Sequence, residues 1–145
     1  MTVGCCGEEM AFKFESLDVW KMSLDYCDSI YQLAEELPES ERFNLKSQIT
    51  RAATSISLNI AEGSTGQTDP EQSRFLGMAL RSLIETVACQ RLISRRNYVN
   101  DQIIMDQLDR QAQELAMRLH AFRRSLANPQ KTIKEEQSPY DQDTI

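Results

Sequence analysis

Little in these 145 residues interrupts regular structure: four prolines and five glycines are spread along the whole chain. Long helices or strands are therefore open to it, since these two residues are the usual breakers. No run of about 18 consecutive apolar residues occurs, so no membrane-spanning helix is expected. The opening MTVGCCGEEM has no basic segment followed by an apolar one, so no secretory signal is expected there. Histidine occurs once, as His120, and the positions four away on either side are Ala116 and Arg124. A zinc set of His with Cys, Asp or Glu at short spacing has nothing to build on there. The Gly-x-Ser-x-Gly elbow of serine hydrolases is missing. EGSTGQTD has the glycines of a phosphate loop but neither its lysine nor a strand before it. The expectation is a protein that is not an enzyme and holds no cofactor and no metal.

The four cysteines are Cys5, Cys6, Cys27 and Cys89. Neighbours such as Cys5 and Cys6 are poorly placed to bond to each other. Cys27 and Cys89 lie inside helical patterns. Reduced thiols in a cytoplasmic protein are expected, two of them filling the core. Acylation or soft-metal binding at Cys5 and Cys6 is the other reading, though no further ligands cluster beside them.

Charge is scarce in one sign. The net of −6 argues against tight nucleic-acid binding by the whole surface, which relies on an excess of Lys and Arg. The imbalance is uneven along the chain. Residues 1–70 hold 5 basic and 12 acidic groups, a net of −7. Residues 71–127 hold 9 arginines and 6 acids, a net of +3, and the remainder from Asn128 holds 2 and 4, a net of −2.

What is abundant is helical periodicity. A first helix is expected from a cap at Ser16, with Asp18 in its first turn, to a stop at Pro38. Its stripe is Leu17, Trp20, Leu24, Cys27, Tyr31 and Ala34, widened by Ile30, Leu33 and Leu37. A second helix is expected from about Ser40, with Phe43, Leu45, Ile49, Ala52, Ile56 and Ile60 on one side and Gly63 just past its end. Asp69-Pro70-Glu71 reads as a cap, a first-turn proline and an acid that restart the chain as a third helix, running to about Asn97. Its apolar positions, from Phe75 and Leu76 to Leu92 and Ile93, spread wider than one core-facing stripe needs. Asn100 or Asp101 caps a fourth helix with the narrow seam Ile104, Leu108, Gln111, Leu115, Leu119, Phe122 and Leu126. The expected organisation is a flexible arm over 1–14, a four-helix bundle over 15–127 and a disordered tail over 128–145. The fold class is all-α, an antiparallel up-down-up-down bundle with short connections.

The second helix carries an unusual surface. In RAATSISLNIAEG, Arg51 to Gly63, the positions beside the Ile stripe are Ser, Thr, Ala and Asn rather than the Glu, Lys and Gln of a solvated face. Arg51, Ser55, Asn59 and Glu62 share one face, and Thr54, Leu58 and Ala61 another. Small residues let a neighbouring helix come close, and polar groups buried there need partners. Glu85 is the candidate partner for Arg51. Together with the broad apolar surface of the third helix, this pattern is read as contact between copies of the chain. Packing of the arm or tail on the same surface is the intramolecular alternative.

Three segments, FESLDVWKMSLDYCDSIYQLAEELP, LKSQITRAATSISLNIAEGS and SRFLGMALRSLIET, occur in an order that resembles a known family. It is the family of four-helix-bundle proteins encoded in intervening sequences of bacterial large-subunit (23S) ribosomal RNA genes. The accessory variability proteins of diversity-generating retroelements look like its relatives. The resemblance spans about Phe14 to Leu126. It implies a bundle that assembles into a homo-oligomeric ring, typically a pentamer, with no settled enzymatic activity. Among the retroelement relatives it implies binding to a reverse transcriptase and to nucleic acid. Arg51, Ser55, Asn59, Glu62, Gly63, Arg74 and Glu85 match motif positions and are carried over as structural or interfacial. The expected subunit interface is Arg51, Ser55, Leu58, Asn59, Glu62, Arg74 and Glu85. Two positions depart from the pattern. Ser57 stands where the family has proline, so the second helix should be straighter. Ser64-Thr65-Gly66-Gln67 stands where a basic residue is usual.

Arginines end the last two helices. Arg91, Arg95 and Arg96 close the third, and Arg118, Arg123 and Arg124 close the fourth. Cations there complement the helix dipole. They are also the candidate contacts for RNA or DNA. Glu35, Glu36, Glu39 and Glu41 should lie at the pole of Arg95 and Arg96 and blunt it. Asp106 with Arg110 and Arg81 with Glu85 are expected as ordinary ion pairs within a helix. The function expected is a non-enzymatic oligomeric scaffold or adaptor that binds a protein partner, with nucleic acid as a candidate second partner. The alternative is a direct RNA- or DNA-binding accessory protein of a retroelement or ribosomal RNA intervening sequence.

Overall fold

Ser16 does not cap the first long helix. Its hydroxyl turns back to the carbonyl of Lys13, 2.9 Å away, and closes a 3-10 turn over Lys13–Ser16. Leu17 then takes an extended conformation and α1 begins at Asp18. The computed structural model describes residues 12–66 and 68–128. Along them lie α1 (Asp18–Glu35), a 3-10 turn (Glu39–Glu41), α2 (Leu45–Gly63), α3 (Asp69–Arg95) and α4 (Gln102–Ala127). The described residues are all-α, with no strand among them. Most of the expected arm, the tail, Cys5 and Cys6 lie outside the described residues.

α2 starts several residues later than the periodicity indicated. Glu39–Glu41 tighten into a 3-10 turn after Pro38, and the Glu41 carboxylate folds under the start of α2. Its Oε2 accepts from the Leu45 backbone N–H at 3.3 Å and from Asn44 Nδ2 at 2.9 Å. A carboxylate satisfying an orphan N–H at a helix start is favourable in both bonding and dipole terms. Phe43 falls before the helix and projects outward, 88% exposed. From Leu45 on, Ile49, Ala52, Ile56 and Ile60 are buried as the spacing required.

Two ends of α3 show different chemistry from that expected. Thr68, not Asp69, is its cap, with Oγ1 accepting from the Glu71 backbone N–H at 3.2 Å. Asp69 and Pro70 are the first two helical residues. At the other end Asn97 takes the left-handed region, φ 57°. There the Asn97 N–H bonds to Ser94 O and the Tyr98 N–H to Ile93 O. This pair of bonds is a Schellman closure, with Asn in the place glycine more often fills. Asp101 does cap α4, its Oδ1 accepting from the N–H groups of Ile103 and Ile104.

Gly63 is not a left-handed cap. It is the last residue of α2 and buried. A Cβ there would stand 2.9 Å from Phe75 Cβ and 3.4 Å from Gln72 O. The missing side chain is what lets the end of α2 cross the first turns of α3.

α2 packs on α1 and α3, and α4 on α3 and α1. The pairs α1/α3 and α2/α4 are diagonal. Gln48 bonds to Glu85, and seven residues on, Ser55 meets Ser82. Arg91 bonds to Asp109 and Ser73 to Arg123. One core runs between all four helices. The α1 contribution is Val19, Ser23, Tyr26, Ile30, Leu33 and Ala34. Leu24 and Tyr31, expected inside, are exposed, while Trp20 and Cys27 are half-buried on the flank. The buried stripe contains two polar residues, Ser23 and Tyr26, and so looks weaker in sequence than the fully apolar flank beside it. In α4 the expected seam is inward, joined by Met105 and Ala112. No described helix is long and apolar enough to cross a membrane.

Candidate interaction surface

The outer face of α2 carries few charges, those of the helix being Lys46, Arg51 and Glu62. Arg51, Leu58 and Glu62 project from it, with Leu58 60% exposed. Ser55 and Asn59 are half-buried and bonded within the chain. Asn59 Nδ2 donates to Ser55 O at 2.9 Å and to Ser55 Oγ at 3.0 Å, and Ser82 Oγ donates to the same Ser55 Oγ at 3.0 Å. The small residues of RAATSISLNIAEG thus do two jobs. Ala52, Ala53 and Ser57 are buried, and Ser55 and Asn59 stitch α2 to itself and to α3.

A shallow trough lies on either side of this ridge. The one between α2 and α3, about 430 Å³, is lined by Phe43, Asn44, Gln48, Arg51, Ser55 and Glu85 among others. The one between α1 and α2, about 440 Å³, is lined by Tyr31, Ser47, Thr50, Arg51, Thr54 and Leu58 among others. Arg51 borders both. It makes no ion pair or hydrogen bond among the described residues. The expected Arg51–Glu85 pair is absent, because Glu85 Oε1 accepts from Gln48 Nε2 at 3.3 Å instead. Arg74 is exposed beside the end of α2, its guanidinium 5.2 Å from the centre of the Phe75 ring. Phe43 and Tyr31 were not expected at this surface, since their helical spacing assigned both to the core. Tyr31 Oη is 3.2 Å from Thr54 Oγ1, so its ring lies against α2 with one face to solvent.

The six candidate nucleic-acid arginines divide into two groups. Arg91 is paired with Asp109 at 2.9 Å and Arg118 with Glu114 at 3.7 Å. Arg123 is half-buried, and its Nε donates to Ser73 Oγ at 3.4 Å. Its guanidinium lies over Gly77, where a Cβ would be 3.2 Å from Cζ. Arg95, Arg96 and Arg124 are exposed and without an ion pair among the described residues. The expected Asp106–Arg110 and Arg81–Glu85 pairs are not formed. Asp106 accepts from Gln102 instead, at 2.9 Å.

At the α3–α4 connection Tyr98 donates to Glu41 Oε1 at 3.0 Å. The Leu45 N–H, foremost, together with Tyr98, Asn44 and the Arg96 charge, holds the Glu41 carboxyl below its usual range, against its own burial. This brings Glu41 to the pole of Arg96, as the helix order required. Burial raises the thiol values of Cys27 and Cys89. In the core, burial pushes the Tyr26 hydroxyl up to about 12. His120 is exposed on α4. Among the described residues no three His, Cys, Asp or Glu side chains stand close enough together to share a metal ion.

Comparison with curated proteins gives no match. Among solved structures, the chain is similar to a protein of unknown function from the S23 ribosomal protein family of Bacteroides thetaiotaomicron. The two share 26% identity with a TM-score of 0.66, over 72% of this chain and 97% of that one. Residues 15–121 match the family model described as 23S rRNA-intervening sequence protein. Four helices around one core, the α2 segment with its small outer face, and this match over nearly the whole helical region lead to one statement: the chain belongs to the 23S rRNA-intervening sequence protein family.

Proposed function

We propose that the protein is a non-enzymatic, cytoplasmic homo-oligomeric scaffold whose subunits meet on the outer face of α2 and which presents the assembled ring to a protein partner. In this reading the helices run up-down-up-down. The order of the cross-helix pairs supports it: Gln48 with Glu85 and Ser55 with Ser82 on one side, Arg91 with Asp109 and Ser73 with Arg123 on another. The observation that carries the interface is Arg51, a fixed charge without a partner among the described residues, set between two shallow troughs and flanked by exposed Leu58, Tyr31 and Phe43. A second copy would supply the missing carboxylate and cover the apolar groups, the arrangement by which polar interfaces become specific. Five subunits and a reverse transcriptase as partner come from the family resemblance and its retroelement relatives.

Light scattering on a sizing column tests the interface. Arg51→Glu and Leu58→Asp should each shift the mass toward monomer while the far-ultraviolet circular dichroism stays helical. An unchanged mass in both variants rejects α2 as the contact surface.

The second reading, direct binding of RNA or DNA, draws on Arg95, Arg96 and Arg124, which are exposed and form no ion pair among the described residues. Phosphate binding must weaken steeply with salt. If replacing all three by Glu leaves an RNA mobility shift unaltered, these groups are not the contact.

A further inference from the structure

α1 and α3 stand diagonally across the core with no close backbone approach between them. What joins them is a buried polar layer. Tyr26 of α1 is 1% exposed, and Thr86 and Gln90 of α3 are fully buried. Tyr26 Oη lies 2.7 Å from Thr86 Oγ1 and 2.7 Å from Gln90 Nε2. Thr86 Oγ1 in turn donates to Leu83 O at 2.6 Å. The remaining side-chain hydrogen bonds between helices all lie in exposed or part-buried positions.

The Thr86 hydroxyl, donating to Leu83 O, sets a consistent pattern of bonds through this layer. Thr86 has one hydroxyl proton and gives it to Leu83 O, so the Tyr26 hydroxyl must donate to Thr86. Tyr26 is then an acceptor toward Gln90, whose Nε2 is the donor. Turning the amide over would set Oε1 against an oxygen whose proton is already committed. In this pattern the buried Gln90 Oε1 has no hydrogen-bond partner among the described residues. A buried acceptor without a donor works against stability. The layer is thus poorly arranged for stability alone.

Its neighbours above and below explain what else it does. α1 offers Val19, Ile30 and Leu33, and α3 offers Leu76, Leu80, Leu83 and Ile93. Aliphatic side chains of similar size repack on one another readily. A shift of α3 by three residues would put Leu83 and Val87, or Cys89 and Ile93, where Thr86 and Gln90 now stand. The aliphatic layers would tolerate that shift. Tyr26, Thr86 and Gln90 would each be buried without a partner, which they do not tolerate.

We propose that the Tyr26–Thr86–Gln90 layer is a register lock, which selects one longitudinal alignment of α1 against α3. It acts as a lone buried polar position does in a coiled coil, by penalising the alternatives rather than by strengthening the native packing.

The test is the full chain with Tyr26→Phe, Thr86→Val and Gln90→Leu together, so that no polar group remains unpaired. The expected variant keeps its helix content and melts at the parent's temperature or above. Its amide proton–nitrogen spectrum shows extra or broadened resonances for α1 and α3. Hydrogen exchange at those amides becomes at least about tenfold faster, as the helices sample more than one alignment. A single sharp set of resonances with parental protection overturns the proposal. If the triple variant does not fold, Tyr26→Phe alone decides by the same two readings. Doubled resonances in α1 and α3 support the lock, and a single parental-like set overturns it.

Discussion

Gly63 and Gly77 are both helical glycines, and replacing each by alanine should move stability in opposite directions. At Gly63 the new Cβ would stand 2.9 Å from Phe75 Cβ. Carbon atoms in contact prefer about 3.5–4.0 Å, so the end of α2 must move away from α3 by more than half an ångström. Both atoms are tied directly to backbone, and neither can swing aside. Overpacking of this kind destabilises by about 1–3 kcal/mol, and the better helix propensity of alanine returns at most about 1 kcal/mol. The net expected loss is about 1–2 kcal/mol. At Gly77 the Cβ would meet Arg123 Cζ at 3.2 Å and its Nη atoms at 3.3 Å. That is the tip of a flexible side chain, which can leave at the loss of one 3.4 Å hydrogen bond to Ser73. Here the propensity gain of about 0.5–1 kcal/mol should prevail. Thermal melts followed by circular dichroism read both. With about 4 °C per kcal/mol for a domain of this size, the two variants should separate by roughly 6–12 °C. A Gly63→Ala protein that melts at or above the parent would refute the close-approach argument. So would a Gly77→Ala protein that falls equally far.

Other expectations follow from individual contacts. The Tyr26 hydroxyl, pushed up to about 12 by burial, keeps its proton where an unfolded tyrosine at 10.0 loses it. Its contribution is fully present below pH 10 and should fall by about 2–3 kcal/mol as the pH rises toward 12. Urea midpoints at pH 9 and 11.5 should therefore drop more in the parent than in Tyr26→Phe, and equal drops would count against the assignment. Glu41 is shifted the other way, below its ordinary 4.5, so its support exists above that value and is lost as acid protonates it. Glu41→Gln should melt below the parent at pH 7, and the gap should close on acidification; a gap that persists into strong acid would mean the charge is irrelevant. Asp101→Ala removes the acceptor for the Ile103 and Ile104 N–H groups and should lose about 1 kcal/mol, read from a denaturant midpoint. A change within measurement error would show that solvent caps α4 equally well.

Where apolar spacing was strict, the sequence was easy to read. Ile49, Ile56 and Ile60 in α2 and Leu108, Leu115 and Leu119 in α4 lie where their three- and four-residue steps require. α1 was harder because two stripes compete on it. The apolar one, through Leu24 and Tyr31, lost to one holding Ser23 and Tyr26, and the reason sits 60 residues away at Thr86. Periodicity contains no such information. Helix ends shifted wherever a side chain from a neighbouring turn intervened: Glu41 delayed α2, and Ser16 closed a turn on Lys13 instead of capping α1. On the candidate surface the small face of α2 was legible, since Ser and Thr fill positions that a solvated helix gives to Lys and Glu. The loss of the Arg51–Glu85 pair was not, because it depends on the reach of Gln48 across to α3. The troughs were missed for a related reason. Tyr31 fits a helical repeat by number and fails it by orientation, and Phe43 fits it by number but precedes the helix.

The Glu41 carboxylate touches both the start of α2 and Tyr98 in the link between α3 and α4. One side chain thus fastens two separate connections together. The link between α2 and α3 has Gly66 at φ 84° with nothing within 4 Å of its would-be Cβ. Engineering should respect that asymmetry: a peptide tag or new chain termini belong beside Gly66, whereas lengthening the segment around Tyr98 would unbuckle both connections at once.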